Sequence, residues 1–91
     1  MKITLFKAIK FDDKEYNELE LDLDNLTGDD MIKAANESKT LGDTSNVPEL
    51  SKTYLAVVAA KAAKIPVDLL FKVSGKDFSQ ITMEVQNFLL Y

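Results

Sequence analysis

With 91 residues, 46% hydrophobic content and no cysteine, the chain suits one small folded domain whose core stands on packing alone, without disulfides or a cysteine metal site. Fifteen acidic against eleven basic residues leave a net charge of −4, which favours solubility and argues against binding to a phosphate backbone. No histidine is present, so the commonest general base and the commonest metal ligand are missing together.

Residues 2–11 alternate loosely. Ile3, Leu5, Ile9 and Phe11 point one way and Thr4, Phe6 and Ala8 the other, the pattern of a strand covered on both faces. The lysines inside MKITLFKAIKF exclude a signal-peptide core. Asp12, Asp13, Lys14 and Glu15 mark a turn. Tyr16 to Leu23 then alternates strictly, with Leu19, Leu21 and Leu23 opposite Glu18, Glu20 and Asp22. The two runs predict a hairpin over about 2–23, its leucine face resting on helices because a lone hairpin is marginal in water.

Leu26-Thr27-Gly28-Asp29-Asp30-Met31 carries a helix start. Thr27 is the cap, Asp30 its reciprocal partner, and Leu26 with Met31 the hydrophobic staple. This helix is expected over about 28–38, burying Met31, Ile32 and Ala35. Lys39 to Asn46, with Gly42 at its centre, is the most loop-like stretch. The longest helical run follows, over about 48–64, with Asn46 and Glu49 as its capping pair. Leu50, Tyr54, Leu55, Val57, Val58, Ala62 and Ile65 make a broad apolar arc, and Ala56, Ala60 and Ala63 a small-residue face. A helix apolar on one side and thin on the other accepts packing from several directions, so it is expected at the centre of the fold. Ile65-Pro66 breaks it. A short helix is predicted over 67–73, ended by Gly75, and a last one over about 78–90, capped by Asp77 with Gln80. Phe78, Ile81, Val85, Phe88 and Leu89 form its core face; Met83 and Leu90 lie about 120–140° away, with Tyr91 beyond them.

Chemistry is sparse. An EF-hand loop starting at Asp22 requires an oxygen ligand, a glycine and a glutamate where Leu26, Thr27 and Lys33 stand. Asp77-Phe78-Ser79 matches a carrier-protein attachment serine only superficially, since the middle residue is wrong. The sequons at Asn25 and Asn36 have nothing to route them to a secretory pathway. The three glycines stand alone and cradle no phosphate, and no motif supports a Ser–Lys nucleophile. The residues predict a protein that is not an enzyme and takes no cofactor or metal. Two features bear on binding. Lys61 sits inside the apolar arc of the central helix, either as a stem snorkelling over the core rim or as a contact point. Met83, Leu90 and Tyr91 are either ordinary exposed apolars or a contact patch on the last helix, where flexible methionine suits adaptable surfaces.

The order of hairpin, LDLDNLTGDDMIKA, variable loop, YLAVVAAKAAKIPVDLLFKVSGKDF and QITMEVQNFLL resembles the small tail assembly chaperones of long-tailed bacteriophages, the group of Mu-like and related E-type proteins. The resemblance runs from about Ile3 to Leu90. Its more specific parts are Leu26 to Asp30, Val58-Ala59-Ala60-Lys61 with Pro66, Lys76-Asp77-Phe78, and Val85 to Leu89. Lys64 departs from it, standing where a glycine is expected before the turn. The elements read along the chain predict an α+β domain, an N-terminal β-hairpin packed against about four α-helices. The resemblance implies a non-enzymatic role in the host bacterial cytoplasm: binding the tape measure protein and keeping it soluble while the tail tube assembles, with the tail tube protein as a further partner and homo-oligomer formation open. The competing expectations are a structural tail or connector subunit of the virion, and a small adaptor protein binding a host factor.

Overall fold

The computed structural model describes residues 1–44 and 51–90. Two antiparallel strands, β1 (Lys2–Phe11) and β2 (Lys14–Glu20), lead through a 3-10 turn (Leu23–Asn25) into helices α1 (Gly28–Thr40), α2 (Lys52–Ala63), α3 (Val67–Leu70) and α4 (Gly75–Leu90). The architecture is α+β, as expected. None of the described helices is long and apolar enough to cross a membrane.

The hairpin turn is tighter than the charged cluster predicts. Asp12 and Asp13 alone make it, both at positive φ (51° and 63°), the left-handed pair that matches the twist of a two-residue hairpin. Lys14 and Glu15 belong to β2, paired with Phe11 and Lys10. The register then breaks. Ile9 pairs with Tyr16 but Thr4 with Glu18, so Leu5 to Ala8 stand opposite Asn17 alone. Ile3 and Ile9 are six positions apart on one strand, whereas their partners Leu19 and Tyr16 are three apart on the other. A bulge absorbs that mismatch and keeps both pairs on the core side. The strand is therefore not covered on both faces: Ile3 and Leu5 are buried, whereas Thr4, Phe6 and Ala8 are exposed. β2 ends at Glu20, yet Leu21 and Leu23 remain buried, so the leucine face continues through the turn.

Helix α1 starts as predicted. The Thr27 hydroxyl accepts from Asp30 N at 3.2 Å, and Asp30 Oδ2 accepts from Thr27 N at 2.9 Å. It runs past Ser38 to Thr40, and its inward stripe is Met31, Ala34, Ala35 and Ser38. Ile32, expected inside, is 64% exposed because it lies about 200° round the helix from Ala34. The helix ends when Gly42, at φ 100°, lets Asp43 N reach Ser38 O (3.1 Å) and Gly42 N reach Lys39 O (3.0 Å), the paired bonds of a Schellman turn. One carboxylate oxygen of Asp43 accepts from both Ser38 Oγ and Ser51 Oγ at 2.7 Å, tying the end of α1 to the start of α2.

Helix α2 is the centre. Every residue from Tyr54 to Ala60 is buried, and α1, α3, α4, β2 and the 3-10 turn all pack on it. Its alanines let neighbours approach on the sides that Leu55, Val57 and Val58 leave free. Ser51 caps it, accepting from Tyr54 N at 3.2 Å, so the helix begins at Lys52, later than the predicted 48. The expected cap residues Asn46 and Glu49, with Pro48 and Leu50, lie outside the described residues. At its end Lys64 takes the left-handed position (φ 58°), with Ile65 N bonded to Ala60 O (3.0 Å) and Lys64 N to Lys61 O (3.3 Å). The turn is as sharp as a glycine would make it.

The last two helices differ from expectation at their junction. Helix α3 stops at Leu70, and Gly75 opens α4 instead of closing α3. The cap of α4 is Ser74, whose hydroxyl accepts from Asp77 N at 3.1 Å; Asp77 is inside the first turn and fully buried. Ile81, Thr82 and Val85 form the buried stripe, with Phe78 and Leu89 half-buried. Phe88, expected in the core, is 39% exposed, at the edge of that stripe. Thr82 was not expected inside. Its hydroxyl is satisfied by Phe78 O at 3.0 Å and Ser79 O at 3.1 Å, and it accepts from Lys52 Nζ at 3.3 Å.

Candidate partner-binding surface

Lys61 lies in the last turn of α2, on the side facing α1. Its stem is half-buried against the core rim and its ammonium reaches Glu37 Oε1 at 3.8 Å. A pair that long and that open to solvent contributes little to stability. Lys61 also borders an open cleft of about 480 Å³ with Asp22, Asn25, Leu26, Asp30, Ala62 and Lys64. The end of α2 gives this cleft two ammonium groups, and the 3-10 turn with the start of α1 gives it two carboxylates. Asp22 Oδ2 is engaged by Asn25 Nδ2 at 2.8 Å. The Thr27 backbone N–H holds the Asp30 carboxyl below its ordinary range; burial opposes this, and the Thr27 hydroxyl, Lys33 and Lys61 add to it. Among the described residues no group of three or more carboxylate, imidazole or thiol side chains converges to hold a metal ion.

Met83 and Leu90 are each 52% exposed. Seven positions apart, they fall about 20° from one another round the helix, with exposed Asn87 between them. They form a short apolar line on the outer side of α4. Tyr91, the third member of the predicted patch, lies outside the described residues. The cleft that holds Lys61 contains no residue of α4, so the two predicted features do not share it: Lys61 stands at the α1–α2 rim, Met83 and Leu90 on α4.

The other end of α4 holds the arrangement that sequence reasoning missed. The Asp77 carboxylate accepts from Phe6 N at 2.6 Å, from Lys7 N at 3.0 Å and from Ser74 Oγ at 2.9 Å. Burial pushes its pKa up, but the two backbone donors, the Ser74 hydroxyl and the Lys76 charge outweigh it, and the carboxyl is held below its ordinary range. Two N–H groups freed by the β1 bulge are thus satisfied from another element. The Phe6 ring turns outward with Lys76 Nζ 4.2 Å from its centroid, a cation–π contact. Phe71 and Phe78, 6.4 Å apart between ring centroids, lie at the same end of α4. One signal in the sequence points to the bulge: the unequal spacing of Ile3 and Ile9 against Tyr16 and Leu19. Nothing local links it to Asp77.

No protein-family model, no characterised protein and no solved structure matches this chain.

Proposed function

We propose that this protein is a non-enzymatic tail assembly chaperone of a long-tailed bacteriophage, acting in the host bacterial cytoplasm to bind the tape measure protein and keep it soluble while the tail tube forms. The observation that supports the reading is the exposed Met83–Leu90 line on α4, beside the resemblance carried by the chain from Ile3 to Leu90. A long helical partner with exposed apolar stripes would lay them on such a surface. Each contact is small, so several copies along one partner hold by avidity and still release when the tube closes. The net charge of −4 keeps the coated complex apart from its neighbours.

Co-expression with a phage tape measure protein, a long helical chain, tests the reading. The expected result is a soluble complex and a rise in the partner's soluble yield. The double variant Met83→Asp/Leu90→Asp is expected to fold unchanged, by circular dichroism, and to lose the complex. No complex and no gain in solubility would overturn the reading. Recovery of this chain from mature particles at fixed stoichiometry would replace it with a structural tail or connector subunit.

A further inference from the structure

The two ends of the hairpin are in different frames. Next to the Asp12-Asp13 turn, Phe11 pairs with Lys14, Lys10 with Glu15 and Ile9 with Tyr16; at the open end Ile3 pairs with Leu19 and Lys2 with Glu20. Between them four residues, Leu5 to Ala8, stand opposite the single Asn17, a slack of three. Continued without slack, the frame set by the turn would oppose Ala8 to Asn17, Lys7 to Glu18, Phe6 to Leu19 and Leu5 to Glu20. A slip by an odd number of residues turns every side chain of the strand to the other face. Phe6 would then join buried Leu19 on the core side, and Ile3 and Leu5 would leave it.

Strand β1 can supply either face. In the bulged frame it buries Ile3 and Leu5 and leaves Phe6 71% exposed, more than any other large apolar side chain among the described residues. The slipped frame gains an aromatic–aliphatic pair, Phe6 with Leu19, an opposite-charge pair, Lys7 with Glu18, and ladder bonds for the looped-out residues. It loses the burial of Ile3 and Leu5 and the 3.5 Å contact of Lys2 with Glu18. What tips the choice lies outside the hairpin. The looped-out Phe6 and Lys7 N–H groups donate to the two carboxylate oxygens of Asp77 on α4, which is fully buried and anchored by the Ser74 hydroxyl. In a continuous ladder, neighbouring N–H groups point to opposite edges of the strand. Both can therefore reach one carboxylate only while the slack sits at Phe6 and Lys7. We propose that Asp77 is the register clamp of the hairpin: it holds β1 in the bulged frame, and without it the strand exchanges with a slipped frame in which Phe6 packs against Leu19. The position of α4 is thereby coupled to the face that β1 turns inward.

NMR of the full chain tests this, with exchange saturation transfer to detect a minor state. The parent is expected to show Ile3 beside Leu19 and no contact between Phe6 and Leu19. Asp77→Asn keeps the shape of the side chain but one acceptor oxygen. It is expected to populate a second state to about 10%, seen at residues 2–8 and 17–21 and carrying a Phe6–Leu19 contact. Adding Phe6→Ser removes the pair that favours the slipped frame, so the double variant is expected to return to one state with Ile3 beside Leu19. A carboxylate that only fills two hydrogen bonds would not be rescued by removing an exposed ring. The proposal is overturned if Asp77→Asn stays in the bulged frame alone, if its second state lacks the Phe6–Leu19 contact or survives Phe6→Ser, or if Asp77→Asn unfolds, since no second frame would then be there to receive the strand.

Discussion

Helices α1 and α4 open with nearly the same four residues, Thr27-Gly28-Asp29-Asp30 and Ser74-Gly75-Lys76-Asp77, and use the final aspartate in opposite ways. In α1 the box closes on itself: the Asp30 carboxylate returns to the N–H of its own cap. In α4 the cap hydroxyl still accepts from Asp77 N, but the carboxylate accepts from Phe6 and Lys7, separated from it by 71 and 70 residues. One carboxylate finishes a helix; the other joins a helix to a strand. The same local chemistry is worth more where a buried carboxylate also satisfies backbone donors of a distant element.

Alanine substitution should expose that difference. Asp77→Ala strands the Phe6 and Lys7 N–H groups and removes a charged acceptor, so it is expected to cost about 3 kcal/mol in urea denaturation. Asp77→Asn keeps the shape and one acceptor oxygen and should cost less. Thr27→Ala breaks only a local, exposed cap and should cost about 1 kcal/mol. A result in which the two alanine variants cost the same would erase the contrast.

The helix ends offer a second comparison. Helices α1 and α2 close with the same pair of turn bonds, but the left-handed residue is Gly42 in one and Lys64 in the other. A side chain at that position is strained, so Lys64→Gly should stabilise the fold by about 1 kcal/mol. Gly42→Ala, with open space around the added methyl but a φ of 100°, should cost a similar amount. Thermal melts of the two variants against the parent check both signs.

Much of this fold was legible because its signals are local. The Thr27 box, the Ile65-Pro66 break, the leucine alternation of Leu19 to Leu23 and the apolar girdle of α2 each lie within one or two turns of chain. What went unread depends on distance. Ile32 and Phe88 are apolar enough for a core, and only packing decides which side of a helix meets it. Asp77 read as a cap because a first-turn aspartate usually serves its own helix, and its use by β1 leaves no trace in the neighbouring residues. The predicted binding residues divided for the same reason: Lys61 and Met83 are each placed by helical period, but where their helices lie relative to one another is a tertiary fact.

Asp77 also sets a pH dependence. Its carboxyl titrates below the ordinary range in the folded state, so the stability it contributes is present above the unfolded pKa and is lost as pH falls through the folded value. Half-buried Asp30, lowered mainly by its Thr27 bond, acts in the same direction. The most direct test of the link between α4 and β1 is a carbon-detected NMR titration of the Asp77 carboxyl, read together with hydrogen exchange at the Phe6 and Lys7 amides. The expected midpoint lies below that of an unstructured aspartate, with both amides protected and shifting along the same curve. An Asp77 midpoint in the ordinary range, with Phe6 and Lys7 exchanging as freely as exposed loop amides, would contradict it.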